Sequence, residues 1–339
     1  MISNRLLEFD IAKGVAIIAV IIGHMGNSMV DRFVYVFHMP FFFLISGYFL
    51  STKGDYVDFV KKKANGLIVP YVVSCIFIII LYLLVFYIWG YQARRDLVGW
   101  IVASLYGAAA KMMPPLDCIG YIGATWFLLA LFWALCIIRY FSESKYFFYI
   151  ICIVSFVGYY TAQTIQLPFS IQEGFLACFF VYIGFVCKRV DVLYKTPNIY
   201  IVMFLVLVVI WEVYFYKELK LANCTLGNGL MDVIAALSAC YLVFKLCLWL
   251  KCNFVLSSLL SFYGRNSLIV LVFHNAEQNI VPWYMLRESL LSDLNYWLYF
   301  IIIISLKVLW STFGIFVVLN IPFLTRLFRG QGISFNIIS

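Results

Sequence analysis

Charge is scarce in this sequence. Only 12% of its 339 residues are Asp, Glu, Lys or Arg, and 65% are hydrophobic. An ordinary soluble domain has about 25% charged and roughly 45–50% apolar residues, so a water-soluble globule is excluded. Histidine is scarcer still, with three in the chain, His24, His38 and His274. The ten cysteines contain no CxxC pair and no paired metal spacing. Most of them, including Cys75, Cys136, Cys152, Cys178, Cys187, Cys240 and Cys247, fall inside apolar runs, where the expected role is that of a small hydrophobe.

What is abundant is apolar length. A spanning helix takes about 20 mostly apolar residues, and division at the polar and Pro/Gly breaks yields ten candidate spans, near residues 8–26, 33–50, 67–89, 122–140, 146–161, 171–187, 199–216, 230–250, 266–281 and 296–319. The expectation is an all-α polytopic membrane protein, about ten transmembrane helices in one bundle, with residues 1–339 forming a single membrane domain. Asp10 and Lys13 interrupt the first apolar run and no small-residue cleavage site follows, so that run is expected to be a retained first helix rather than a signal peptide. The connection 90–121, with Arg94, Arg95, Lys111, Pro114 and Pro115, is the long one; its apolar middle suits either an interfacial or a re-entrant segment.

The net charge of +8 comes from 24 Lys and Arg against 16 Asp and Glu. These cations sit between apolar runs, so they report orientation in a membrane rather than a nucleic-acid partner. With the N-terminus inside, fourteen cations, among them Arg5, Lys61, Lys62, Lys63 and Arg265, fall on the inner side. Seven fall outside, and Lys13, Lys245 and Lys307 lie within spans. That bias predicts both termini in the cytoplasm.

Ionisable side chains within a span are costly and usually face the bundle interior, so each is a functional candidate. His24 lies about six residues before the centre of the polar turn at 27–32 and His38 about six after its end, so antiparallel helices are expected to bring both to similar depth, roughly 9 Å below the turn. Two histidines without a nearby carboxylate are too few for a metal site, and none is expected; a proton-handling pair fits better. Asp10 and Lys13, three apart on one helix, can neutralise each other. Asp10 stands about 21 Å along the helix from His24, so a carboxylate orienting that histidine must come from another helix. Glu173 and Asp232, each near the start of a later span, are candidates, and each also suits an ordinary acid at a helix N-terminus.

These residues occur in segments that resemble the integral-membrane acyltransferases, acyltransferase family 3, which includes O-acetyltransferases of bacterial exopolysaccharide and O-antigen. RLLEFDIAKGVAIIAVIIGH is similar to the family's first-helix signature, with Lys13, Gly14, Gly23 and His24. FHMPFFFLISGYFL resembles the second, with His38, Pro40, Ser46 and Gly47; KKKANGLIVPY, ending at Pro70 and Tyr71, resembles the basic loop that opens the third helix. TWFLLALF (Trp126, Phe127, Leu128), FFVYIG ending at Gly184, and YGRNSLIVLVFH (Gly264, Asn266, Ser267, His274) resemble later segments in the family's order. One departure is Lys13, where many members carry Arg; a fucose-O-acetylase-like branch shares the lysine, which offers a point charge without a bidentate fork.

The resemblance implies transfer of an acyl group, usually acetyl from acetyl-CoA, to a hydroxyl of a cell-surface or lipid-linked glycan, by a multi-pass protein of the bacterial inner membrane. Acyl-CoA would be a donor substrate and no cofactor is expected; the partners are the donor, the saccharide acceptor and membrane lipid. A sugar hydroxyl is a poor nucleophile, and a histidine with pKa near 6.5 can take its proton. His24 is the expected base, with His38 positioning it or binding the acceptor. Ser46, Trp126, Glu173, Asn266 and His274 are expected to line the acceptor pocket. CoA is polyanionic, so Arg5, Lys13 beside Asp10, and Lys61, Lys62 and Lys63 form the expected donor cradle; positive-inside anchoring explains the lysine run equally well. Some members bear an extra soluble hydrolase-like domain, which is not expected here. Cys118 and Cys224, both assigned to the outside, would pair only if that side is oxidising. The competing class is a proton-coupled transporter or flippase using the same histidines as a relay, and a structural scaffold leaves the buried histidines and lysine without a role.

Overall fold

The structure, a computed structural model, describes residues 6–89, 91–109, 121–281, 283 and 294–328. Arg5, Cys118 and residues 110–120 of the long connection lie outside them. The first hairpin is shaped by its polar turn. Helix α1 (Leu7–Gly23) stops at His24, and α2 (Ser28–Tyr48) starts behind Asn27, whose side-chain oxygen accepts the backbone N–H groups of Met29 at 2.9 Å and Val30 at 3.1 Å, a cap for donors that a helix start leaves without partners. The Asn27 amide also donates to the Tyr296 hydroxyl at 2.5 Å, tying the turn to a distant helix.

Next comes α3 (Tyr56–Lys63), capped by Asp55, and α4 (Val69–Trp89), joined by a π turn over Ala64–Ile68. Pro70 has no N–H for the Gly66 carbonyl four residues back, and the ladder widens so that Val69 donates to Ala64. The lysine run therefore sits on a helix continuous with the next span, not in the loop expected from its polarity. Within the long connection, α5 (Tyr91–Tyr106) packs on α4 through Leu97, Trp100 and Ala103, and the Tyr71 hydroxyl donates to the Ser104 carbonyl at 2.7 Å.

Among the described residues, the regular structure that remains is helical apart from one short hairpin. It comprises α6 (Trp126–Phe141), α7 (Phe147–Thr161), α8 (Ile171–Val190), α9 (Ile199–Tyr214), strands β1 (Leu219–Lys220) and β2 (Thr225–Leu226), α10 (Leu230–Leu250), α11 (Phe254–Arg265), α12 (Ser267–Ile280), α13 (Tyr296–Asn320) and α14 (Pro322–Phe328). A helix occupies each of the ten expected stretches. Six helical runs among the described residues are long and apolar enough to cross a membrane, or seven if α11 and α12, bent by 72°, count as one. Helices of 15 or 16 residues such as α7 and α9 rise about 24 Å, short of a hydrocarbon core of about 30 Å. The chain is thus a multi-pass membrane protein, with six or seven helical runs that have the length and composition of a crossing.

α1 is the axis of the bundle. Twelve of its 17 residues are buried, and it contacts α2, α10, α11, α12 and α13; α9, by contrast, buries Val208 and Glu212 and leaves Ile199, Ile201, Met203, Phe204, Leu207 and Ile210 exposed. Two helix crossings are made backbone to backbone. A Cβ on Gly14 would overlap the Leu260 carbonyl, and one on Gly264 the Asp10 carbonyl, so α1 and α11 meet through glycines on both sides. Gly47 against Val181 and Gly184 against Leu44 repeat the arrangement between α2 and α8. Apolar burial gives membrane helices little reason to associate once lipid surrounds them, and small residues that allow close approach supply the packing instead.

Candidate active site: a histidine cavity above a cationic one

One face of α1, at spacings of four, three and four, carries Lys13, Ile17, Val20 and His24; the facing side of α2 carries Tyr35, His38, Met39, Phe42 and Ser46. Side chains three and four apart share a helix face, so the hairpin presents one continuous wall. Two cavities open along it. The first, of about 460 Å³, is lined by His24, Tyr35, His38, Tyr121, Trp126, and Lys220 to Asn223 of the hairpin strand and the turn that follows it. The second, of about 220 Å³, is lined by Lys13, Ser46, Leu67, Phe127, Arg265 and Ser267. Val20 and Met39 line both, so the cavities are stacked and share a neck.

The histidines are held alike. Nδ1 of His24 lies 2.7 Å from the Val20 carbonyl, and Nδ1 of His38 lies 2.7 Å from the Val34 carbonyl. A carbonyl only accepts, so Nδ1 carries the hydrogen in both rings and Nε2 keeps the lone pair of a base. His38 is buried, whereas His24, at the end of α1, is accessible within the first cavity. The Tyr35 hydroxyl donates to the Gly23 carbonyl at 3.1 Å and its ring meets that of His38 edge-on, bracing the turn between the two histidines.

Behind His24 stands a group that sequence reasoning did not assemble. The His274 ring meets the His24 ring edge-on, with centroids 5.0 Å apart. Its Nδ1 is 2.8 Å from Glu277 Oε1, a close contact too bent to be an aligned hydrogen bond. Lys307 on α13 donates to both Glu277 oxygens, at 2.8 and 2.9 Å, and Trp283 Nε1 donates to the same carboxylate. His274, Glu277 and Lys307 are all buried.

The other expected site residues divide. Trp126 lines the histidine cavity, and Ser46 and Lys13 line the cationic one. Asp10 is buried on α1, one turn before Lys13. Arg265, which the sequence marked only as an orientation charge, joins Lys13 there. Asn266 sits at the α11–α12 bend, donating to the Phe262 carbonyl at 2.9 Å, and lines neither cavity. Glu173 is buried at the start of α8 with Oε2 lacking a hydrogen-bond partner among the described residues; Asp232 accepts the Asn228 N–H at 3.0 Å. Neither lines either of these cavities, and among the described residues the carboxylate beside a histidine is Glu277, against His274. Lys61 and Lys62 are exposed and Lys63 half-buried on α3, off the cavity walls.

The chain is thus a multi-pass membrane protein with two stacked cavities, one lined by cations and the other by imidazoles. The sequence matches the acyltransferase domain of acyltransferase family 3 over residues 6–327, and the chain belongs to that family. It is similar to the nodulation protein NolL of Mesorhizobium japonicum, 36% identical over 88 residues that cover 22% of this chain and 24% of that protein. NolL of Sinorhizobium fredii is 33% identical over 88 residues with the same coverage. The match thus spans about a quarter of the length of these curated relatives. No solved structure matches.

Proposed function

We propose that this protein is a membrane O-acyltransferase that moves an acyl group, acetyl in the first instance, from acyl-CoA to a hydroxyl of a cell-surface or lipid-linked glycan. The observation that carries the reading is the single wall from Lys13 to His24 that runs through both cavities. Eleven residues of helix separate the two, roughly 16 Å. The pantetheine arm of CoA has about twelve bonds from phosphate oxygen to sulfur, some four residue-lengths of extended chain or ~14 Å. An acyl-CoA whose phosphates rest near Lys13 and Arg265 therefore carries its thioester to the neck at Val20 and Met39, under His24.

The acceptor enters from the other end, beside Tyr35, Tyr121 and Trp126, whose rings suit a sugar face. The hydroxyl oxygen attacks the thioester carbonyl while His24 Nε2 takes its proton; the C–S bond then breaks and the departing thiolate recovers that proton from Nε2, so the histidine ends as it began. His38, in the same tautomer, positions the acceptor hydroxyl. Asp10 settles the Lys13 charge near the donor, and exposed Lys61, Lys62 and half-buried Lys63, together with Arg5, draw the polyanion toward the opening through long-range attraction. Ser46 offers a hydroxyl along the arm. The positive-inside bias supports the Lys13 end as cytoplasmic; counting each of the ten helical stretches as a crossing then puts both termini inside, and the family's members point to a bacterial inner membrane.

Purified protein given acetyl-CoA and a lipid-linked or polysaccharide acceptor should release free CoA and yield acetylated glycan. A transporter or flippase would release none.

A further inference from the structure

The Glu277–Lys307 pair is expensive to keep. Moving two charges out of water costs several kcal/mol per ion, and such a pair is often no more stabilising than apolar side chains of the same volume. Holding α12 against α13 does not require it, because Phe273 already packs on Trp310 and the Trp310 Nε1 donates to the Phe273 carbonyl at 2.9 Å. The pair also sits at the histidines: His274 is within 2.8 Å of Glu277 on one side and stacked edge-on to His24 on the other. A carboxylate only accepts, so the 2.8 Å approach of Glu277 Oε1 to His274 Nδ1 favours the ring hydrogen on Nδ1, although the contact is not an aligned hydrogen bond. Nδ1 and Nε2 are both buried without an aligned hydrogen bond among the described residues, a state that normally costs about 1–3 kcal/mol.

We propose that Glu277 is a positioning residue for acyl transfer: acting through His274, it holds the His24 ring in its reactive setting, and Lys307 and Trp283 hold Glu277. The inference rests on the reading of His24 as the base. In the resting protein Lys307 balances Glu277 and both rings are neutral. When His24 accepts the hydroxyl proton it becomes a cation in a low-dielectric setting, with Lys307 repelling it and Glu277 one ring away attracting it. His274, whose Nδ1 lies against Glu277, meets that cation edge-on with the ring centroids 5.0 Å apart. The other imidazole at the cavity, His38, is fixed by the Val34 carbonyl, and Tyr35, Tyr121 and Lys220 are the remaining titratable groups on its wall. The benefit arises only as the proton moves, so it falls on turnover rather than on substrate affinity.

The test compares wild type, His24→Ala, and the charge-neutral double variant Glu277→Gln/Lys307→Met, which avoids leaving a lone buried ion as either single change would. The double variant should melt within a few degrees of wild type and keep the KM for acetyl-CoA and for glycan. Its kcat should fall on the order of ten- to a hundredfold, the usual effect of removing a group that orients a functional histidine. Histidine-selective 15N NMR reads the rings without turnover: with three histidines in the chain, the His274 signal, assigned by its loss in His274→Ala, should report the Nδ1–H tautomer in wild type and a mixture in the double variant. A kcat within about twofold of wild type, an unchanged His274 tautomer, or a joint loss of kcat, both KM values and thermal stability would each overturn the proposal. Absence of acyl transfer by wild type, with the tautomer change present, would instead refute the transferase reading and leave the His274–Glu277 linkage standing.

Discussion

Replacing His24 with alanine separates chemistry from folding, because the ring is accessible in a cavity rather than packed in the core. The fold loses the bond from Nδ1 to the Val20 carbonyl, worth about 1 kcal/mol, and the edge-on contact with His274, worth about 0.5–1.5 kcal/mol. Val20 keeps its place on α1 and neither glycine crossing is touched, so the detergent-solubilised protein should melt only a few degrees lower. The rate should fall by 10²–10⁴, the usual worth of a positioned general base, which at 1.36 kcal/mol per decade raises the barrier by about 2.7–5.4 kcal/mol. The assay follows free CoA with a thiol reagent and acetylated glycan by mass spectrometry, beside a thermal melt of the same preparation. His38→Ala should also impair transfer severely but, since that ring is 3% exposed, with a larger loss of stability. Retention of more than about a tenth of wild-type kcat by His24→Ala would refute its role as base.

Four further outcomes are open to measurement. Lys13→Ala should raise the KM for acetyl-CoA strongly, Arg265→Ala should raise it too, and Lys13→Arg should keep most of the function; a rise in acceptor KM alone would move the donor to the other cavity. Neutralising Lys61, Lys62 or Lys63 singly should produce a small, salt-sensitive KM increase, because exposed charges are screened, and a salt-independent effect would count against steering. Gly264→Ala and Gly47→Ala should each cost about 1–3 kcal/mol or more as overpacked sites, read as lower yield and melting temperature; an unchanged melt would refute the backbone crossing. For orientation, a cysteine at Ser51 should be shielded from an impermeant thiol reagent in intact cells and one at Glu218 labelled, with exposed Cys252 first replaced by Ser; the reverse pattern would invert the membrane topology.

Apolar length placed helices at all ten stretches, and the polar turn between two in-span histidines brought His24 and His38 to one cavity, because a hairpin constrains depth without any tertiary knowledge. The lysine run was misread as a loop since Lys61–Lys63 break apolar periodicity, yet a helix carries its last turn well with basic residues against its negative end. The hairpin wall at Leu219–Leu226 was invisible because strands of two residues have no period. Glu277 and Lys307 are 30 residues apart on different helices, and only packing reveals that they meet. A signal did exist: His274 and Glu277 are three apart, hence on one face, and Lys307 was a cation inside a span with no local partner. Arg265 passed as an orientation charge because a basic residue at a helix end is what membrane topology leads one to expect.

The glycine crossings bear on how freely the sequence can drift. Where two helices touch through side chains, each substitution at the contact shifts their spacing a little. Where they touch main chain to main chain, as α1 does with α11 and α2 with α8, the spacing is set by atoms that every sequence shares. The hairpin that carries both histidines is clamped in this way on each of its arms. Its placement is therefore insulated from turnover of the lipid-facing surface, and most of the chain can diverge while the depth and separation of the two imidazoles stay put.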